Sequence, residues 1–184
     1  MNFPKKTQSG LASVVTVGDA IASSMPSGGQ EKNRDFTITI RVEPLPSMKE
    51  VGLLAFAHHQ EIAEDKGALP FNPDYDYYLR LQDSGKLRCI IVRDDGKLVG
   101  YWGVLIQKHP HSCAVTVALG DLYFLAKEYR GRGIGDDMLA LAVVTAKQSG
   151  AAVFITREKT AHPHDALFTS FGFRPFEYAY TRTL

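Results

Sequence analysis

Apolar residues along this chain recur with two periods, and the change between them marks the elements. Phe36-Thr-Ile-Thr-Ile-Arg-Val42 alternates apolar and polar positions and predicts a first strand. Pro46 and Ser47 then open a helix running towards His58, with Val51, Leu54 and Ala55 on its inner stripe. Asn72-Pro73 predicts the cap of a second helix that passes through Tyr75, Tyr78 and Leu79 and ends near Gly85. Leu87–Val92 reads as a strand, Asp94-Asp-Gly96 as a hairpin turn, and Lys97–Gln107 as the returning strand. After a turn at His109-Pro-His111, a long strand runs from Cys113 to Ala126. Ile134, Met138, Leu141, Ala142 and Thr145 then recur at helical spacing, with Gly150 as the stop. Ala152–Thr156 predicts a strand parallel to the one before that helix, and Tyr178–Leu184 a last strand closing the sheet. No internal repeat is present.

Residues 1–35 break this pattern. Ser, Gly, Lys and Gln dominate there, Ser27-Gly28-Gly29-Gln30 is linker-like, and only Leu11–Ala22 is mildly apolar. Lys5 and Lys6 ahead of that run invite a signal-peptide reading, but Gly18 and Asp19 interrupt the apolar stretch. The expectation is a flexible or partner-bound tail over residues 1–35 and one domain over 36–184. A chain of 184 residues is long enough for one proper core.

A net charge of +1 gives no electrostatic case for nucleic acid, and no tract approaches the length of a membrane span. Two cysteines, Cys89 and Cys113, make no disulfide framework, so a reducing cytosol is the expected compartment. The six histidines fall in three pairs, His58-His59, His109-x-His111 and His162-x-His164. None has acids or cysteines at familiar zinc spacing, and no metal is expected.

The chemistry concentrates at Glu128-Tyr-Arg-Gly-Arg-Gly-Ile-Gly135, between an apolar strand and an amphipathic helix. Glycines let a backbone approach a ligand closely, and the first N–H groups of a helix have no partners of their own. With the helix dipole and two arginines, they predict a site for phosphate. A P-loop needs Lys and Ser or Thr after its last glycine, where Asp136 and Asp137 stand. The dinucleotide fingerprint needs a glycine at position 136 and an acidic residue about 20 residues on, and the chain has neither.

What remains, Arg130-x-x-Gly133-x-Gly135 within Leu125–Gly135, resembles the acetyl-CoA loop of the GNAT N-acetyltransferases. Ala166–Phe173 is similar to that family's helix and Gly-Phe turn, in the expected order, and the resemblance spans about Phe36 to Leu184. It implies an α/β (α+β) fold: a mixed, mostly antiparallel sheet of six to seven strands flanked by about four helices. It implies acetyl-CoA as co-substrate, with no metal. In that family the strand before the loop splays from its neighbour. Main-chain groups at Phe124, Leu125 and Ala126 should then pair with the pantetheine arm, and the N–H groups of Arg130, Gly131, Arg132, Gly133, Ile134 and Gly135 should hold the pyrophosphate. Arg130 and Arg132 either reach phosphates or stay solvated.

The implied reaction is direct acetyl transfer to an amine, which must lose a proton to attack. Asp121 is the first choice of base, on the strand before the loop and, by alternation, on one face with Tyr123 and Leu125. Glu128 is the alternative base. A main-chain N–H near Leu125 would serve the oxyanion. The usual proton-donating tyrosine is replaced by Phe168, which leaves Tyr123, His164 and Tyr178 as candidates. The acceptor region should comprise residues 56–78 and 176–180, where Glu61, Glu64, Asp65, Asp74 and Asp76 suit a cationic amine and Tyr75, Tyr77 and Tyr78 add aromatic surface. The acceptor itself, a small molecule or a protein, stays open, as does a homodimer. A second expectation of another class is a non-catalytic GNAT-fold module docked into a larger assembly through residues 1–35.

Overall fold

A computed structural model of the chain describes residues 37–64 and 66–183. The predicted tail, with its boundary at residue 35, lies outside the described residues. The elements run β1 (Ile38–Glu43), α1 (Met48–Ile62), α2 (Tyr75–Asp83), β2 (Leu87–Asp94), β3 (Lys97–His109), β4 (Ser112–Leu125), α3 (Ile134–Gln148), β5 (Val153–Ile155) and α4 (Asp165–Ser170). Among the described residues the strands form one sheet in the order β1-β2-β3-β4-β5, antiparallel except for the last pair.

Local chemistry accounts for most boundaries. The β2–β3 turn places Asp95 (φ 46°) and Gly96 (φ 78°) both in the left-handed region, the twist a two-residue hairpin requires. The cap of α2 is Asp74 and not Asn72-Pro73: its carboxylate accepts the Tyr77 N–H at 2.8 Å. An aspartate two residues nearer the helix satisfies an orphan donor that Asn72 is too far away to meet.

The sheet is sandwiched. Ile90, Val92, Trp102, Val104, Ala118 and Leu125 bury one face under Met138, Leu139 and Ala142 of α3 and Phe168 of α4. Leu87, Cys89, Ile91, Leu98, Tyr101 and Phe124 bury the other under Val51 and Leu54 of α1 and Tyr78 and Leu81 of α2. Burial on both faces explains why β2 and the middle of β3 read as nearly continuous apolar runs.

The sheet has five strands here, fewer than the six to seven expected, because Tyr178–Thr183 does not pair. Phe176, Tyr178 and Tyr180 stand 70%, 83% and 95% exposed, and residues 174–183 carry no strand. Alternation alone makes no strand, and the outer edge of the three-residue β5 stays unpaired among the described residues.

Gly100 sits where β3 crosses the end of β4. A Cβ there would meet Leu125 Cδ1 at 2.8 Å and the Phe124 carbonyl at 3.1 Å. Gly100→Ala should therefore destabilise the domain by about 1–3 kcal/mol through overpacking. Urea unfolding measures it, and an unchanged midpoint would show that the two strands part freely.

Candidate functional site

β4 is paired with β3 along its length but with β5 only from Val117↔Val153 to Leu119↔Ile155. Among the described residues, no strand pairs with its outer side beyond Leu119. Ala126 donates its N–H to the Val99 carbonyl, towards β3. By alternation Phe124 also faces β3, while Tyr123 and Leu125 direct their main-chain groups to the open side. The Leu125 carbonyl already accepts Arg130 Nε at 2.8 Å. Of the three residues expected to offer their main chain to a ligand, only Leu125 points its groups outward.

β4 also carries a bulge. Trp102 pairs with Tyr123 and Val104 with Gly120, so Gly103 alone faces both Asp121 and Leu122. The bulge overturns the expectation that Asp121 shares a face with Tyr123 and Leu125. Asp121 lies on the α2 side, where its Oδ2 accepts the Tyr78 hydroxyl at 2.8 Å. Tyr123 lies on the α3 side, its ring 4.7 Å from Trp102 and 5.8 Å from His164. One extra residue turned the side chain across the sheet.

The chain leaves β4 through a single 3-10 turn, Lys127–Tyr129, and enters α3 with Gly133 as N-cap. Gly131 (φ 72°) and Gly133 (φ 78°) are left-handed, and a Cβ on either would meet no atom within 4 Å. These glycines serve the backbone path, and the space before them is free. Gly133 has no side chain to cap the helix, and the first intrahelical bond at this end is Asp137 N–H to the Gly133 carbonyl. The N–H groups ahead of it in the first turn have no intrahelical partner, an arrangement that suits an anion. The residues present therefore fit a phosphate-bearing ligand. Asp136 and Asp137 lie in the first turn, and burial, then Asp136, holds the Asp137 carboxyl above its usual range.

Of the proton-donor candidates, Tyr123 and His164 meet and Tyr178 stands apart in solvent. The Tyr123 hydroxyl lies over the start of α3, where a Cβ on Gly135 would come within 3.0 Å of it. Burial keeps it protonated above the usual tyrosine range. Phe168 is buried beneath Trp102 and Phe173. Burial also pushes the Cys89 thiol up to about 12, and Cys113 is an exposed free thiol.

On the opposite face, a groove of about 490 Å³ runs between α1 and the end of β4, lined by Leu54, Ala57, Glu61, Phe124, Ala126 and Lys127 among others. Arg130 crosses to this face, where NH1 and NH2 donate to the two Glu61 oxygens at 2.7 and 3.0 Å. His58 is buried beside it, stacked on Phe124 at 4.7 Å and hydrogen-bonded through Nδ1 to the Tyr101 hydroxyl. Trp102 escaped the sequence reading, and Glu61 and Tyr78, read there only as acceptor surface, turn out to bond Arg130 and Asp121 from other elements. The one available signal was Tyr78 on the inner side of α2. Of the remaining acids, Asp74 is spent on its cap and Asp65 lies outside the described residues.

The chain matches the Acetyltransferase (GNAT) family over residues 56–173, more than half its length. It belongs to that family. No curated protein sequence matches this GNAT chain. Among solved structures, it is similar to a ribosomal-protein-alanine N-acetyltransferase from Brucella melitensis biovar Abortus, with TM-score 0.60 and 17% identity, covering 80% of this chain and 99% of that one. It is likewise similar to an aminoglycoside acetyltransferase from an uncultured soil metagenomic sample, with TM-score 0.60 and 21% identity over 80% and 99%. A third is a predicted acetyltransferase from Clostridium acetobutylicum solved with acetyl-CoA, with TM-score 0.58 and 15% identity over 79% and 96%. At these identities the likeness is one of fold. Among the described residues, no helix of this GNAT domain is long and apolar enough to cross a membrane, and no group of His, Cys, Asp and Glu could hold a metal ion.

The His58 imidazole is lowered to about 4, first by burial, with Glu61 opposing and Arg130 and His59 adding to the shift. Its folded value lies below the unfolded one, so the neutral form stabilises the fold above about pH 6.5 and that stability drains as pH falls towards 4. The loss approaches about 3 kcal/mol at most, from roughly 1.36 kcal/mol per unit. Thermal unfolding across that window should show a steeper fall for the wild type than for His58→Gln. Parallel curves would mean the ring protonates without disturbing its pocket.

Proposed function

We propose that this chain is an acetyl-CoA-dependent N-acetyltransferase that moves an acetyl group directly to a primary amine. One observation supports this most. Two left-handed glycines with open space before them lead into the first-turn N–H groups of α3, at the end of a strand whose outer edge has no paired strand past Leu119 among the described residues. A phosphate-bearing, extended ligand with an amide-containing arm suits both halves of that arrangement at once. Acetyl-CoA, when bound, supplies a thioester whose acyl group is activated for attack by nitrogen.

The residues divide the work across the sheet. Main-chain N–H groups of Gly131, Gly133, Ile134 and Gly135 would hold the pyrophosphate, since the Arg130 N–H is spent on the Lys127 carbonyl, and the Leu125 N–H faces the open edge where an acyl oxygen would lie. Asp121, on the α2 face, takes the proton that the attacking amine gives up as the C–N bond forms. Tyr123, on the α3 face, donates its hydroxyl proton to the sulfur as the C–S bond breaks. Base and acid thus sit on opposite faces of β4, so that the amine approaches from the α2 side and the thiol departs on the α3 side. Tyr78 donates to Asp121, and its own hydroxyl is held well above the usual range, first by burial and then by Asp121. It therefore stays a donor and fixes the carboxylate rotamer.

The acceptor is proposed as a small molecule or a protein amine. The similar folds include one named for a ribosomal protein and another for aminoglycosides, so the fold does not choose between these classes. Asp121 beside Tyr78, with Tyr77 46% exposed next to it, supplies a carboxylate and aromatic faces suited to a cationic amine.

Gly133→Glu places a side chain at φ 78° and a carboxylate in front of the α3 N–H groups. It should abolish CoA binding in calorimetry while far-UV circular dichroism stays that of the wild type. Retained affinity in a folded variant would remove the loop as the phosphate site. Asp121→Asn should lower kcat on the order of 10²- to 10⁴-fold with CoA affinity intact. A rate equal to wild type would show that another group, or water alone, takes the proton.

A further inference from the structure

Arg130 is the first residue of the glycine motif and would ordinarily be read as a phosphate ligand. Its side chain is already committed. Nε donates to the Leu125 carbonyl at 2.8 Å, and NH1 and NH2 make a two-pronged pair with Glu61 at 2.7 and 3.0 Å. The guanidinium carbon lies 5.2 Å from the centre of the Phe124 ring. A planar guanidinium has one fork made by NH1 and NH2, and a carboxylate occupying it leaves no such fork for a phosphate. The Glu61 charge also offsets that of Arg130, and Lys127 Nζ lies 3.8 Å from the same carboxylate.

Each contact runs to a different part of the fold. Glu61 is on the last turn of α1, Leu125 is the final residue of β4, and Phe124 belongs to the core beneath α1. The Glu61 side chain is only 18% exposed and Arg130 39%, so the pair is partly shielded. Arg130 holding its Glu61 partner keeps the Glu61 carboxyl below its usual range.

We infer that Arg130 is a strut and Glu61, outside every motif, is its anchor: together they fix the Leu125 main chain at the open edge and tie the cofactor loop to α1. Both are positioning residues for the pantetheine arm, and the pyrophosphate is left to main-chain N–H groups. This rests on the acetyl-CoA reading above and deepens it. It also makes α1, which walls the groove on the far face, part of the cofactor site's support.

The test compares CoA with pantetheine, which has the arm and no phosphate, by calorimetry on wild type, Glu61→Gln and Arg130→Gln. A strut acts on the arm, so each variant should weaken both ligands by one common factor of roughly five. The double variant should be no worse than either single one, because the two residues act as a unit. Amide exchange over residues 124–130 is the second readout and needs no ligand: it should quicken in Glu61→Gln while protection elsewhere in the sheet holds. If Arg130→Gln weakens CoA but not pantetheine, and Glu61→Gln changes neither, Arg130 is a phosphate ligand and the strut is wrong. Unchanged exchange in Glu61→Gln also overturns it. Wild-type protein that binds no CoA would instead defeat the acetyl-CoA reading, and the exchange measurement would still decide the strut.

Discussion

β4 is held by β3 throughout and by β5 for only three residue pairs. Antiparallel pairing on one side holds the strand, and on the other, past Leu119, no strand among the described residues takes up its main-chain groups. The rest of the site depends on that asymmetry. Past Leu119 the chain carries an open edge, then a bulge, then the glycine turn into α3, and each adds one kind of recognition to the same stretch. An edge can hold an extended arm, a bulge can re-aim a side chain, and a helix start can hold an anion.

The bulge matters most for chemistry. Without the extra residue, Asp121 and Tyr123 would lie on one face and compete for one space. With it, Asp121 joins α2 through Tyr78, and Tyr123 joins the aromatic cluster of Trp102 and His164 below α3. An acidic group and a protonated phenol thereby reach the same short length of strand from opposite sides. Phe168 no longer reads as a defect. It is an apolar wall for this cluster, with Tyr123 of the strand packed against the same core.

Much of this was legible in the sequence, and for local reasons. The hairpin at Asp94–Lys97, the helix after Gly133 and the parallel β5 follow from turn chemistry and period, which neighbouring residues decide. The family was legible from Arg130-x-x-Gly133-x-Gly135 and the Gly-Phe turn, and the match over residues 56–173 agrees. What stayed hidden depends on partners distant in the chain. Alternation places Asp121 wrongly because a bulge is a mismatch between two strands, and only the pairing with Gly103 reveals it. Arg130 looked available because Glu61 is 69 residues away. Tyr178–Thr183 alternates like a strand, yet no sheet edge takes it up.

Trp102 is the only tryptophan in the chain, and it is fully buried where β4 and β5 part company. Among the described residues its indole N–H has no hydrogen-bond partner, and Tyr123 packs against its ring. A molecule entering the opening would come close to this one indole. The protein thus carries its own optical probe at the vertex of the cleft, with no second indole to obscure the signal.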